Sequence, residues 1–210
     1  MNTDFQLILG DKNSSSWSLR AWLMLKHLGI EFEERSIQLY TAQTKAEILH
    51  YVPSGKVPAL IHQQNICWES LSIAEYLNEL FPAAKLWPED PAIRTYARNI
   101  SNEMHAGFSN LRQLMPFTLN QSQPLASSPA LTQDIQRIEA IWQECRTKYS
   151  SAGQYLFGKF SIADAMYAPI VLRFRAYGYN SQNAAVIDYC TTILGNPFIQ
   201  EWLQAANNKA

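Results

Sequence analysis

Residues 53–60 read Pro53-Ser-Gly-Lys-Val-Pro-Ala-Leu60, and this stretch decides how the first part of the chain is expected to fold. A proline that opens an apolar strand is tolerated because its missing N–H leaves only one ladder hydrogen bond unmade. Pro58 also keeps the preceding Val57 extended. An extended residue with a free N–H and C=O at a strand end can pair with a peptide-like ligand. The stretch therefore predicts either a ligand-binding strand end or an ordinary edge strand.

The elements around this stretch follow the order β-α-β-α-β-β-α. Short apolar or alternating runs indicate strands and helical spacing of apolar residues indicates helices. Strands are predicted at residues 5–9, 31–38, 57–62 and 65–68, and helices at residues 17–28, 44–50 and 71–80. Gly29 ends the first helix, and Gln63-Gln64 forms the turn between the last two strands.

Prolines 82, 88 and 91 then interrupt any regular element, which is typical of a linker. The expected organisation is a first domain at residues 1–82, a linker at 83–91 and an all-helical domain at 92–210. Helices are predicted in the second domain at residues 93–114, 130–149, 162–177, 184–194 and 197–206, with a polar loop at 120–128. The predicted fold class is α+β, with an all-α bundle following the mixed first domain.

The composition describes an ordinary globular protein and excludes several functions. The net charge is −1, and no run of Lys and Arg could follow a nucleic-acid backbone or an anionic membrane. The longest apolar stretch, residues 165–172, falls short of the roughly 20 residues that span a bilayer. Cys67, Cys145 and Cys190 show neither a CxxC nor a metal-ligand spacing, so we expect reduced thiols, no metal and a cytoplasmic location. The first ten residues lack the features of a signal peptide.

A second informative stretch is Trp68-Glu69-Ser70-Leu71-Ser72-Ile73, where a strand passes into a helix. The N–H groups and dipole of a helix N-terminus attract a carboxylate, which Ser70 could help to hold while Glu69 pairs with an ammonium group. Together the two residues suit the zwitterionic end of an amino acid. Helix capping is the alternative interpretation of the same residues, with Ser70 as N-cap or with Ser72 and Glu75 as a capping box.

The third stretch is Asn13-Ser-Ser-Ser-Trp-Ser-Leu-Arg20, which places three hydroxyls before the first helix. Ser14, Ser15 or Ser16 could cap this helix or donate a hydrogen bond to a bound thiolate. A free cysteine-type thiol has a pKa of about 8.5, and lowering it by about two units takes roughly 2.7 kcal/mol. A hydroxyl donor beside a helix N-terminus is a reasonable source of that free energy.

In this order and spacing, the three stretches resemble the cytosolic glutathione transferase family, near its bacterial serine-type members and the zeta class. The similarity extends over nearly the whole chain. In the second domain, Gly158-Lys-Phe-Ser-Ile-Ala-Asp164 resembles the capping motif of the family, with Ser161 as N-cap and Asp164 as the third helical residue. The resemblance implies a thioredoxin-like first domain with Pro58 in the cis form.

The resemblance also implies the roles of the site residues. Val57 would pair its backbone with the cysteinyl part of glutathione, and Lys56 would help at the glycyl end. Glu69 and Ser70 would hold the γ-glutamyl end. One of Ser14, Ser15 and Ser16 would stabilise the thiolate, and the spacing to Arg20 favours Ser15 or Ser16. Arg20 itself would support the site or a dimer.

The face of the long predicted helix that carries Met104, His105 and Phe108 belongs either to the core or to the pocket for the second substrate. By resemblance, the protein would be a detoxifying transferase that conjugates glutathione to small electrophiles as a cytoplasmic homodimer without a metal. A different reaction at the same site would be glutathione-dependent isomerisation of maleylacetoacetate, although Ser15 stands where the zeta class typically carries a cysteine. The resemblance is also compatible with a peroxidase and with a non-catalytic glutathione-binding protein of the same fold.

Overall fold

The computed structural model describes residues 4–119 and 124–207. In these ranges the chain forms one four-stranded sheet and nine α-helices. The strands are β1 (Phe5–Gly10), β2 (Glu33–Ile37), β3 (Ala59–His62) and β4 (Asn65–Trp68). The helices are α1 (Ser16–His27), α2 (Thr44–Leu49), α3 (Ser70–Leu80), α4 (Pro91–Ala106), α5 (Ser109–Leu114), α6 (Pro129–Tyr149), α7 (Ile162–Ala176), α8 (Ala184–Gly195) and α9 (Pro197–Asn207).

The sheet has the strand order β2-β1-β3-β4, with β2 parallel to β1 and the other two pairs antiparallel. Successive side chains of β1 point to opposite faces, so this central strand contributes to two cores. Leu7 and Leu9 pack with the large core that includes α1 and α3. Ile8 packs with Ile48 and Ala59 in a smaller core beside α2. The predicted thioredoxin-like arrangement followed by a helical part is confirmed.

The serine-rich stretch ends where α1 begins. Ser15 is the N-cap, and its hydroxyl accepts a hydrogen bond from the N–H of Ser18. At the other end Gly29 has a φ of +68°, a conformation that glycine adopts without steric cost. The N–H of Gly10 donates a 2.9 Å hydrogen bond to the hydroxyl of Ser18, which places the first turn of α1 at the C-terminal end of β1.

Helix α7 lies at the centre of the helical part, and its residues 162–174 are buried. It packs against α1, α4 and α8, which joins the sheet-containing part to the helical bundle. At its N-terminus the Asp164 carboxylate accepts hydrogen bonds from the N–H and hydroxyl of Ser161 and from the N–H of Leu156, at 2.8 to 3.0 Å. Burial raises the pKa of Asp164 to about 6.

The prediction of one helix at residues 93–114 is wrong. Helix α4 ends at Ala106, Gly107 is extended, and Phe108 adopts a left-handed conformation with a φ of +59° before α5 begins. A Cβ on Gly107 would lie 2.7 Å from the carbonyl oxygen of Glu103, so this position needs glycine for the chain to turn. Apolar periodicity continues through the break, which is why the pattern did not reveal it.

The capping predicted for α3 also differs from the structure. The N-cap is Glu69, without a side-chain capping bond, and Ser70 is the first helical residue. Ser72 therefore lies too far into the helix to begin a capping box with Glu75. The Glu75 carboxylate instead accepts a hydrogen bond of 3.0 Å from the indole of Trp87. Of the loop predicted at 120–128, residues 120–123 lie outside the described residues, and Ser128 caps α6.

Candidate functional site

The peptide bond between Val57 and Pro58 is cis, and it lies at the edge of a cavity of about 350 Å³. The cavity is lined by Trp17, Leu39, Ile48, Ser54, Lys56, Val57, Pro58, Trp68 and Glu69. Strand β3 begins only at Ala59, so Val57 lies outside the ladder. Among the described residues, none forms a backbone hydrogen bond with Val57. Its N–H and C=O are therefore available to an extended ligand in the cavity.

The N-terminus of α3 lies on the same side of the molecule as the cavity. Ser70 is fully buried, and its hydroxyl has no hydrogen-bond partner among the described residues. Glu69 precedes it with a φ of +75°, an unusual conformation for a side chain of this size. The structure thus joins a buried hydroxyl, the N–H groups of a helix terminus and a half-exposed carboxylate, which together can bind a carboxylate and an ammonium group.

The three serines before α1 have different partners. The hydroxyl of Ser14 donates a 2.6 Å hydrogen bond to the carboxylate of Asp11. Ser15, the N-cap, donates a 2.7 Å hydrogen bond to the hydroxyl of Ser18. Ser16 accepts a 3.3 Å hydrogen bond from Nη2 of Arg173, and its own hydroxyl hydrogen has no acceptor among the described residues. Of these three hydroxyls, that of Ser16 keeps a free donor for a ligand.

Trp17, which follows Ser16, contacts two guanidinium groups. The guanidinium carbons of Arg20 and Arg112 lie 4.4 and 4.7 Å from its ring centroid. The His105 ring meets it edge-on at 5.1 Å. The Nε2 atom of His105 lies 3.3 Å from a carboxylate oxygen of Glu69. Burial lowers the pKa of His105, Glu69 opposes this shift, and the two arginines add to it.

Arg20 is only 1% exposed, and its Nε and Nη1 atoms have no hydrogen-bond partner among the described residues. Burial lowers its pKa, and repulsion from Arg112 and Arg173 lowers it further. The sequence predicted a supporting role for Arg20 and did not reveal Arg173 as part of the site. The available signal was an arginine near the C-terminal end of the buried segment 162–174, whose other charged residue is the capping Asp164.

The residues predicted for a second-substrate pocket have different environments. Met104 is fully buried, and its carbonyl oxygen accepts a hydrogen bond from Arg112. Phe108 is 8% exposed and lies at the break between α4 and α5. Of the three, His105 reaches the cavity-lining residues, through Trp17 and Glu69. Sequence periodicity did not distinguish these environments because all three residues share one predicted helical face.

The described residues contain no group of His, Cys, Asp and Glu side chains arranged to hold a metal ion. Of the helices in residues 4–119 and 124–207, none is long and apolar enough to cross a membrane. The groups that the described site offers to a ligand include the hydroxyls of Ser16 and Ser70, the carboxylate of Glu69, the ammonium group of Lys56 and the backbone of Val57.

Known proteins are similar to this chain in sequence and in fold. The family model for the glutathione S-transferase N-terminal domain matches residues 14–80. Maleylacetoacetate isomerase of Rattus norvegicus is 33% identical over 166 residues, which cover 76% of this chain and 73% of the relative. The probable maleylacetoacetate isomerase of Caenorhabditis elegans is 26% identical over 162 residues, or 75% of each chain. A glutathione transferase homolog from Burkholderia, solved with bound glutathione, has a TM-score of 0.73 at 22% identity and covers 98% of this chain and 99% of its own.

The matched segment 14–80 contains every part of the candidate ligand site in the first part of the chain: the serines before α1, the cis-Pro58 loop and the start of α3. The similarity to the rat protein continues beyond this segment, because its 166 aligned residues exceed the length of the first domain. The solved homolog has the same fold over nearly the full length of both chains. The chain therefore belongs to the cytosolic glutathione S-transferase family.

Proposed function

We propose that this protein is a glutathione transferase that binds glutathione beside Pro58, activates it as a thiolate and conjugates it to small electrophiles. The observation that carries the proposal is the buried, unpartnered Ser70 hydroxyl at the N-terminus of α3. A buried hydroxyl without a partner costs about 1–3 kcal/mol, which a bound carboxylate would offset. The γ-glutamyl end of glutathione supplies that carboxylate, and its ammonium group would pair with Glu69.

The rest of glutathione follows the cavity edge. Its cysteinyl part would form antiparallel hydrogen bonds with the free backbone groups of Val57, as an added strand does at a sheet edge. Lys56 lines the cavity beyond Val57 and would attract the glycyl carboxylate. Pro58 has no N–H to compete for these contacts. This placement directs the sulfur toward the first turn of α1.

At that turn, Ser16 is the residue we assign to the thiolate. The hydroxyl hydrogens of Ser14 and Ser15 are already donated to Asp11 and Ser18. A hydrogen bond from Ser16 and the positive end of α1 would both favour the charged form of the thiol. The thiolate then attacks an electrophilic carbon, the leaving group departs with the bonding electrons, and the thiol proton goes to solvent.

Substitution of the serines one at a time tests this function. The wild-type complex with glutathione should show thiolate ultraviolet absorbance near neutral pH. Ser16→Ala should lower both this absorbance and the rate of conjugation by about 10–100-fold, the value of a hydrogen bond to a charged group. Ser14→Ala is the matched control and should retain both.

Two outcomes would contradict the assignment in different ways. If Ser15→Ala abolishes thiolate formation and Ser16→Ala does not, the activating hydroxyl is Ser15. If the wild-type protein neither binds glutathione nor conjugates it, the function itself is wrong. Binding without turnover on a panel of electrophiles would support a non-catalytic glutathione-binding protein.

A glutathione-dependent isomerase of maleylacetoacetate is the second candidate, because the rat and nematode relatives carry that name. The described cavity is lined by no cysteine, and burial raises the pKa of the Cys67 thiol. An isomerase of this chain would therefore depend on glutathione for the thiolate at the site. Direct assays with maleylacetoacetate and with an organic hydroperoxide separate isomerase and peroxidase activity from conjugation.

We also propose that the chain divides into domains at residues 1–82 and 92–210, acts as a homodimer and detoxifies electrophiles in the cytoplasm. The domain division is supported by the 3-10 turn at Pro82–Ala84 and by the Asp90 cap that starts α4. Dimer formation is supported by the exposed apolar side chains Ile66 and Leu80. Light scattering of the purified protein measures its oligomeric state.

A further inference from the structure

Three arginines meet where α1, α5 and α7 approach one another. Arg20 and Arg173 are 1% and 4% exposed, and Arg112 is largely covered. Among the described residues, no carboxylate forms a salt bridge with any of the three. The described part of the fold therefore holds two buried positive charges and a third, partly buried one without a paired negative charge.

Such an arrangement is costly, because burying a charge without a partner is strongly unfavourable. Hydrogen bonds offset part of the cost. Arg112 donates to the carbonyls of Met104 and Gly107, and Arg173 donates to those of Met115 and Pro169. Arg20 stacks on Trp17. A negative charge that arrives only with the ligand would offset the remainder.

The burial of the arginine side chains determines which part of the ligand their charges can act on. Arg20 and Arg173 expose too little surface to touch a second substrate in the open cavity. They do contact the two residues that begin α1, since Arg20 stacks on Trp17 and Arg173 binds Ser16. The negative charge they can influence is therefore the one formed next to Ser16.

The contact of Arg173 with Ser16 has a defined direction. A guanidinium group only donates hydrogen bonds, so the hydroxyl oxygen of Ser16 must be the acceptor. The hydroxyl hydrogen then points away from Arg173 and can be donated to another acceptor. Burial and repulsion from Arg112 lower the pKa of Arg173 to about 9, which leaves it charged at neutral pH.

Other charged and titratable groups surround this contact. Tyr177 from the end of α7 and Tyr40 from the loop after β2 act on Arg173, and Glu69 from the start of α3 and Tyr167 from α7 act on Arg20. His105 from α4 faces Glu69 and Trp17. Glu69 is the carboxylate in this set, and in the proposed complex it pairs with the ammonium group of glutathione. The three guanidinium groups then act on the sulfur without competition from Glu69.

We propose that Arg173 is a positioning residue for the glutathione thiolate. It holds the Ser16 hydroxyl by its oxygen so that the hydrogen points at the sulfur, and its charge stabilises the thiolate together with those of Arg20 and Arg112. The inference rests on the proposed function and on the assignment of Ser16. It extends the glutathione site from the first part of the chain to α7 in the helical part.

The test is a pH titration of the thiolate absorbance in the glutathione complex of the full chain. Arg173→Gln keeps a donor for the carbonyl of Met115 and removes the charge, so we expect the thiol pKa to rise by about one unit, which is about a tenfold smaller ionisation constant. Arg173→Lys keeps the positive charge, so its thiol pKa should stay close to the wild-type value. Arg175→Gln, at an exposed position on the same helix, is the matched control and should titrate as wild type.

The Ser16→Ala background tests whether Arg173 acts through the hydroxyl. In that background Arg173→Gln should shift the thiol pKa by less than it does in the wild type. Equal shifts in the two backgrounds would overturn the positioning role. An unchanged thiol pKa in an Arg173→Gln protein that binds glutathione would overturn the whole inference.

Arg20→Met provides an independent measurement if Arg173→Gln does not fold. The Nε and Nη1 atoms of Arg20 make no hydrogen bond with the described residues, so its loss removes a charge without opening a hydrogen-bond network. We expect a raised thiol pKa in this variant as well, and a wild-type titration would contradict the role of the charge cluster. A wild-type protein that forms no thiolate would instead refute the proposed function.

Discussion

Arg20 and Ser70 are buried polar residues whose unpaired groups lie at the site. At the N-terminus of α3, the hydroxyl of Ser70 has no hydrogen-bond partner among the described residues. The Nε and Nη1 atoms of Arg20, whose guanidinium stacks on Trp17, also have none. Unpaired buried groups reduce the free energy of unfolding unless a ligand completes them. At the residue scale, these unpaired groups therefore lower the free energy of unfolding at positions where a bound carboxylate or thiolate can supply the missing partner.

The unpaired guanidinium of Arg20 predicts opposite effects of Arg20→Met on stability and on activity. Removing a buried unpaired charge should raise the free energy of unfolding by about 1–4 kcal/mol, measured by urea denaturation without glutathione. Thiolate formation and conjugation should fall in the same variant. A variant that is less stable than the wild type would show that Arg20 has a compensating partner. Arg35→Met, at an exposed position on β2, is the control.

The break between α4 and α5 determines where Arg112 lies. Gly107 is extended and ends α4, and Phe108 has a left-handed conformation before α5 begins. The Arg112 side chain donates hydrogen bonds to the carbonyls of Met104 and Gly107 at the end of α4. Arginine at the end of a helix satisfies carbonyls that have no partner within the helix. The same bend places its guanidinium over Trp17. At the element scale, a local turn thus builds one side of the arginine cluster.

Substitution of Gly107 by alanine tests the importance of this break. The new Cβ would lie 2.7 Å from a backbone oxygen that cannot move cheaply. We expect Gly107→Ala to lower the free energy of unfolding by about 1–3 kcal/mol. Gly195→Ala is the control, because a Cβ added there would have no described atom within 4 Å and the residue ends a helix. It should be neutral or stabilise by about 0.4–1 kcal/mol, and equal effects of the two changes would contradict the prediction.

Helix packing is one of the interactions that hold the two parts of the chain together. Helix α1 packs against α7 and also against α9, which carries Trp202. Trp202 is fully buried, meets Trp22 edge-on at 5.2 Å and donates a 2.9 Å hydrogen bond to the carbonyl of Lys12. At the scale of the whole molecule, the sheet and the helical bundle therefore share one core, and the candidate glutathione site lies where they meet.

A shared core predicts that the chain unfolds in one transition. Trp202→Ala should lower the free energy of unfolding by about 3–5 kcal/mol and move the whole transition, measured by circular dichroism and by tryptophan fluorescence together. Trp68→Ala, at a position that is 41% exposed, is the control and should cost far less. Two separate transitions, with only one of them shifted by Trp202→Ala, would contradict the prediction.

Much of the architecture was predictable because local patterns carry it. Alternating or helical spacing of apolar residues placed the strands and most helices, and the residues before Pro58 and around Ser70 indicated a peptide-binding edge. The exceptions were the α4–α5 break and the cap of α3. At both positions, backbone conformations with positive φ at Phe108 and Glu69 override the local pattern.

The sequence by itself determined the order of the elements, the family and the stretches that form the candidate glutathione site. Only the tertiary structure decided which serine has a free hydroxyl hydrogen and which arginines lie behind it. Ser16 and Arg173 are 157 positions apart, so no local spacing relates them. Their contact exists because α7 is buried against α1, and burial of a charged side chain depends on packing that arises only when the chain has folded.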